Sequence, residues 1–93
     1  MTPEEYAQNL LARGYREFPG FIDKDRTLNV GDRVRKNNQR FGYEAGTGTI
    51  ERIFVKDYSS WSQKYGADDV ELIVKNDDGT YSYVANYHVS KVG

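Results

Sequence analysis

Cysteine is absent from this chain, which excludes a disulfide framework and any thiolate metal site. Histidine occurs once, as His88, with no Asp or Glu beside it at ligand spacing, so no metal centre is expected. No apolar run approaches the ~20 residues a membrane helix needs, and no signal-peptide pattern opens the sequence. A cytoplasmic protein with no membrane association is the expectation. Charge of one sign is also missing: thirteen Lys and Arg against fourteen Asp and Glu leave a formal net charge of −1, which argues against a general polyanion binder. With 93 residues the chain has room for one domain and one core. Tyrosine, by contrast, is plentiful: eight of it stand beside four Phe and one Trp. Tyrosine suits half-buried surfaces and interfaces, having an apolar body and a polar tip.

Catalytic patterns are equally scarce. Gly46-x-Gly48 lacks the third glycine of a dinucleotide fingerprint, Glu51 standing where it would fall. Asp23 and Asp25 resemble the start of a calcium loop, but Leu28 occupies its glycine position and no bidentate Glu follows. Asp77 and Asp78 are explained by turn chemistry, and no Gly-x-Ser-x-Gly elbow supports a nucleophilic serine. The expectation is a protein that is not an enzyme and needs no cofactor.

The chain opens with helix signals: Thr2 as cap, Pro3 in the first turn, and Glu5 completing a Thr-x-x-Glu box. Tyr6, Leu10 and Arg13, with Ala7 and Leu11, make one stripe, and Gly14 is a stop, which predicts a helix over 3–13. Phe18-Pro19-Gly20-Phe21-Ile22 reads as an apolar turn whose phenylalanines dock that helix. From Leu28 the period becomes two. Leu28, Val30 and Val34 are expected inward, and Arg33 and Arg35 outward. The absent side chains of Gly46 and Gly48 permit close backbone approach. The strand continues through Ile50–Val55. Val70, Leu72 and Val74 alternate into the core, Asp77-Asp78-Gly79 turns the chain into Thr80–Val84, and one helical turn near Ala85–Tyr87 precedes a last strand over His88–Val92.

Five short strands, two long loops, a tight hairpin, a helical turn and a closing strand form an order that resembles the Src-homology-3-like small barrel. Val30-Gly31-Asp32-Arg33-Val34, Gly46-Thr47-Gly48-Thr49-Ile50 and the closing Tyr87–Val92 look like the KOW and Tudor groups of that superfold. The resemblance implies a mostly β domain: a five-stranded barrel over 28–93 preceded by a helix and apolar turn over 1–27. It implies binding more than catalysis, and the superfold leaves the partner open. The Ala-Leu-Tyr-Asp-Tyr signature of proline-rich-peptide binders is absent.

Two stretches are candidate binding sites. Arg33, Arg35, Lys36, Arg40, Phe41 and Tyr43 interleave cations with aromatics, in a region where Lys24 to Arg40 holds six basic and two acidic residues. Cations neutralise phosphates and aromatic faces stack bases, which suits nucleic acid. An ordinary solvated strand face, with Arg33 and Arg35 paired to Glu51, accounts for the same residues. In the second stretch Tyr58, Trp61 and Tyr65 recur at i, i+3 and i+7, a spacing that one short helix gathers on one face as a hot spot for a protein partner. The alternative there is a lid over the core. Tyr81 and Tyr83 form a third case. A two-residue turn turns them to the core with Leu72 and Val74; a three-residue Asp-Asp-Gly turn puts them on the outer face beside Ile73 and Lys75, and Gly79 favours the latter. The sequence thus points first to a noncatalytic module engaging a protein surface, as an adaptor, regulator or inhibitor of a larger complex. A nucleic-acid-binding barrel comes second and a methyl-lysine-type aromatic cage a distant third. It leaves the oligomeric state open.

Overall fold

The computed structural model describes residues 1–23, 26–37, 46–56 and 70–92. Helix α1 spans Pro3–Ala12. Its capping box is complete: the Glu5 amide donates to Thr2 Oγ1 at 3.1 Å, and the Thr2 amide to the Glu5 carboxylate at 3.2 Å. Gly14, at φ +94°, adopts the left-handed conformation that turns the chain away from the helix.

Eight strands follow among the described residues: β1 (Arg16–Phe18), β2 (Gly20–Asp23), β3 (Arg26–Asn29), β4 (Arg33–Lys36), β5 (Gly46–Val55), β6 (Val70–Asn76), β7 (Tyr81–Ala85) and β8 (Val89–Lys91). The main sheet runs β7-β6-β5-β4-β8, all antiparallel, and β1 pairs with the second half of β5. β2 and β3 form a separate hairpin. The fold is mostly β with one N-terminal helix, and among the described residues the sheet does not close into the expected five-stranded barrel. The physical reason lies in residues 16–29. Read from sequence as an apolar turn and a first strand, they supply β1 and a hairpin that covers one sheet face, so the sheet buries that face without meeting itself. The expected division after residue 27 falls inside β3.

Strand alternation separates two cores. One face carries Val34, Ile50, Ile53, Val55, Val70, Leu72, Val74, Val84 and Val89, packed with Phe21 and Leu28 of the hairpin. The other carries Phe54 and Ile73, packed with Ala7, Leu10 and Tyr15 and flanked by Tyr6 and Tyr83. Phe21 therefore does not dock the helix; it lies on the opposite side of the sheet. Val30 was expected inward but is exposed, because Asn29-Val30-Gly31-Asp32 is a turn closed by the Asp32 amide on the Asn29 carbonyl at 3.0 Å, with Gly31 at φ +97°.

A bulge explains how β5 serves both cores. Ile50 pairs with Val74 and Arg52 with Ile73, leaving Glu51 as the additional residue. Without it, Ile53 and Val55 would face away from Ile50. With it, all three share the hairpin-covered core, while Arg52 and Phe54 face the helix side. The closing 3-10 turn covers Asn86–His88, directly before β8.

Candidate functional site

Turn chemistry positions the first functional side chains. In the β6–β7 connection the Asn76 amide donates to the Thr80 carbonyl at 2.7 Å and the Gly79 amide to the Asn76 carbonyl at 2.9 Å, with Gly79 at φ +91°. This is the three-residue Asp77-Asp78-Gly79 turn, and Asp78 Oδ1 braces it by accepting the Thr80 amide at 3.0 Å and the Thr80 hydroxyl at 2.6 Å. The register that follows pairs Ile73 with Tyr83 and Lys75 with Tyr81, placing both tyrosines on the helix side of the sheet. They fare differently there. Tyr83 stacks on Tyr6 of α1 with ring centroids 4.3 Å apart and is half-buried, whereas Tyr81 stays 39 % exposed.

Arg33 and Arg35 reach the same face from the far side of the sheet. Arg33 pairs with Thr49, Thr49 with Lys75, and Lys75 with Tyr81. One row across four strands thus reads Arg33, Thr49, Lys75, Tyr81, about 14 Å from end to end at normal strand spacing. Beside it a second row holds Ser90, Arg35 and Thr47. Helix α1 covers the other half of this face, so these two rows form its solvated part.

Arg33 is held flat by Asp77, with Nη1–Oδ1 at 2.6 Å and Nη2–Oδ2 at 3.0 Å; Thr47 Oγ1 also donates to Asp77. The expected pairing with Glu51 is therefore replaced by one across β5 to the turn. The Arg33 hydrogen bond, followed by that of Thr47, holds the Asp77 carboxyl down at about 2. Arg35 and Lys75 are exposed and have no acidic partner among the described residues. The patch presents two unneutralised cations beside a neutralised one.

Lys36 is different. It alternates onto the same side as Val34, is 4 % exposed, and donates from Nζ to Ser82 Oγ at 3.0 Å. Asn76 Nδ2 donates to the same Ser82 oxygen at 2.9 Å. This lysine ends the hairpin-covered core in a polar cluster and presents no charge to a phosphate. The signal was in the sequence: two residues after buried Val34 a strand points the same way. Arg40, Phe41, Tyr43, Tyr58, Trp61 and Tyr65 lie outside the described residues.

Two contributors escaped sequence reasoning. Thr49 joins the row only through strand register, which no local pattern reveals and which also sets Lys75, expected beside Tyr81, in line with Arg33. Arg52 anchors the neighbouring half of the face: Nε and Nη2 bind Glu17 at 2.7 Å each, Nη1 binds Glu4 at 3.0 Å, and the guanidinium lies 5.2 Å from the Phe54 ring centroid. These contacts raise its pKa further and lower that of Glu17.

Among the described residues no group of His, Asp and Glu is arranged to hold a metal ion. His88 packs its ring against Tyr87 at 4.3 Å. A cleft of about 390 Å³ runs along Leu11 and Gly14–Phe18, but its one carboxylate, Glu17, is engaged by Arg52. No described helix is long and apolar enough to cross a membrane. The geometry defines a small mostly β domain with a polar, cation-bearing sheet face. No protein-family model, curated protein or solved structure matches the chain.

Proposed function

We propose that this chain is a noncatalytic binding module whose half-open sheet face engages an acidic protein surface. The observation that carries the reading is the row Arg33–Thr49–Lys75–Tyr81: a tyrosine with large contact area and little rotamer freedom to lose, set in line with cations on rigid strands. Rigid placement lowers the ordering cost of binding, and Arg35 and Lys75 supply charge that nothing described neutralises. The near-neutral chain as a whole favours a protein partner over a free polyanion. An adaptor, regulator or inhibitor of a larger complex fits a domain of this size. The likeness to Src-homology-3-like barrels belongs to the same proposal; the order of β4 to β8, with the last strand returning beside the first after a 3-10 turn, supports it.

The second reading, nucleic-acid binding, is favoured by the same cations: Lys75 stands beside the Tyr81 ring, and Arg35 lies on the same face. Affinity capture from a lysate, with and without nuclease, separates the two. A protein retained after nuclease, and lost with Tyr81→Ala plus Arg35→Glu, supports the first. Retention that disappears with nuclease and weakens steeply with salt supports the second. A double variant that captures as wild type removes the sheet face from both.

A further inference from the structure

The outer side of β7 ends the main sheet, and among the described residues no strand pairs with it. Its hydrogen-bonding phase is fixed by the Asn76–Thr80 pair. In an antiparallel ladder bonded and non-bonded pairs alternate, so Ser82 and Val84 turn their amides to β6 while Tyr81, Tyr83 and Ala85 turn theirs outward. The other edges of the main sheet are guarded. β8 has three residues; Arg26 binds the carbonyls of Val89 and Asn86 at 2.8 and 2.9 Å, and Lys91 reaches the Thr27 carbonyl at 2.9 Å. β1 also has three, two of them charged. β7 is five residues of Tyr-Ser-Tyr-Val-Ala, without the charge or proline that usually blocks an edge.

We infer that β7 is a self-association edge, pairing antiparallel with β7 of a second copy about a two-fold axis at Tyr83. A second copy suits it because the strand is complementary to itself under that operation. Tyr83 meets Tyr83, and each Tyr81 meets Ala85 of the other copy, a large half-exposed ring against the smallest side chain of the strand. The neighbouring strand matches as well. Lys75 stands in the rank of Tyr81 and Glu71 in that of Ala85, so each continuous rank carries a lysine from one copy and a glutamate from the other. No like charges are set opposite each other. The hydrogen bonds of the pairing come from the backbone of the edge; it shares Tyr81 and Lys75 with the binding row above but makes no use of Arg35.

The test is sedimentation of the full chain over a wide concentration range, with amide exchange on the same samples. A concentration-dependent dimer is expected, with the Tyr81, Tyr83 and Ala85 amides gaining protection as it forms. Ala85→Pro removes one outward N–H per copy at a residue whose φ of −76° and ψ of 159° already suit proline. Losing those two bonds should weaken the dimer roughly 10- to 100-fold, whereas Arg35→Glu should leave it intact. A chain that is monomeric throughout overturns the inference. So does a dimer that Ala85→Pro does not weaken, or one whose new protection lies elsewhere. Should Ala85→Pro fail to fold, amide protection in the unaltered chain decides alone.

Discussion

At Gly48 the two longest strands come so close that an added Cβ would lie 2.6 Å from the Lys75 carbonyl oxygen and 2.7 Å from Val74 Cγ1. The first obstacle is backbone and cannot rotate away. Gly48→Ala is expected to lower stability by about 1–3 kcal/mol, measured by urea denaturation; an unchanged midpoint would show that the ladder has slack. Tyr6 makes a pH prediction. Its hydroxyl donates to Glu71 at 3.0 Å, and burial, reinforced by that carboxylate, pushes the phenol well above its usual range. A raised pKa means the folded state retains the proton, so this contribution is full below the unfolded value near 10 and is lost as pH climbs beyond it. Tyr6→Phe should cost about 1 kcal/mol at neutral pH and flatten the alkaline limb of the stability curve. Asp77 works in the other direction. Its carboxyl is held down at about 2, so its contribution is present above the unfolded value near 3.8 and fades as pH falls toward 2. Asp77→Asn should therefore flatten the acid limb and free Arg33, which makes it the variant to examine for tighter binding of anionic surfaces.

The helix, β1 and β5 meet at Arg52, and this one side chain ties three elements together through Glu4 and Glu17. Arg52→Ala should lower stability by about 1–2 kcal/mol, with amide exchange speeding up first in α1; uniform acceleration across the sheet would argue against a local latch. Much at this scale was legible in sequence. The capping box, the Gly14 stop, the inward Val70, Leu72 and Val74, and the bulged Asp-Asp-Gly turn are local codes written in neighbouring residues. What was not legible is non-local. Arg16–Phe18 is too short and too charged to announce a strand, and becomes one because β5 offers it an edge. Phe21 looked like a helix contact because nothing nearby said which side of the sheet the hairpin would cover. The bulge at Glu51 reverses facing midway along β5, and only the pairing to β6 reveals it. The site divides in the same way. Arg33 and Arg35 followed from simple alternation, whereas their neighbours Thr49 and Lys75 arrive from other strands.

For the whole molecule, the charge arrangement predicts that the proposed binding at the sheet face is sensitive to salt but not dominated by it. Lys36→Met is expected to leave any polyanion binding unchanged, since that ammonium is buried against Ser82, whereas Arg35→Glu should weaken it; a titration in which Lys36→Met does the greater damage would reject the assignment of faces. The position of α1 carries a consequence for how the chain assembles in time. The helix leaves the ribosome before every described strand, yet it packs on Phe54, Ile73 and Tyr83, and its hydrogen bond from Tyr6 to Glu71 spans 65 residues. Until β5 and β6 are made, its apolar stripe has only Tyr15 of that core to pack against. Distant pairings of this kind slow folding toward milliseconds or longer, and a nascent chain halted before β7 should hold α1 undocked and open to chaperone capture.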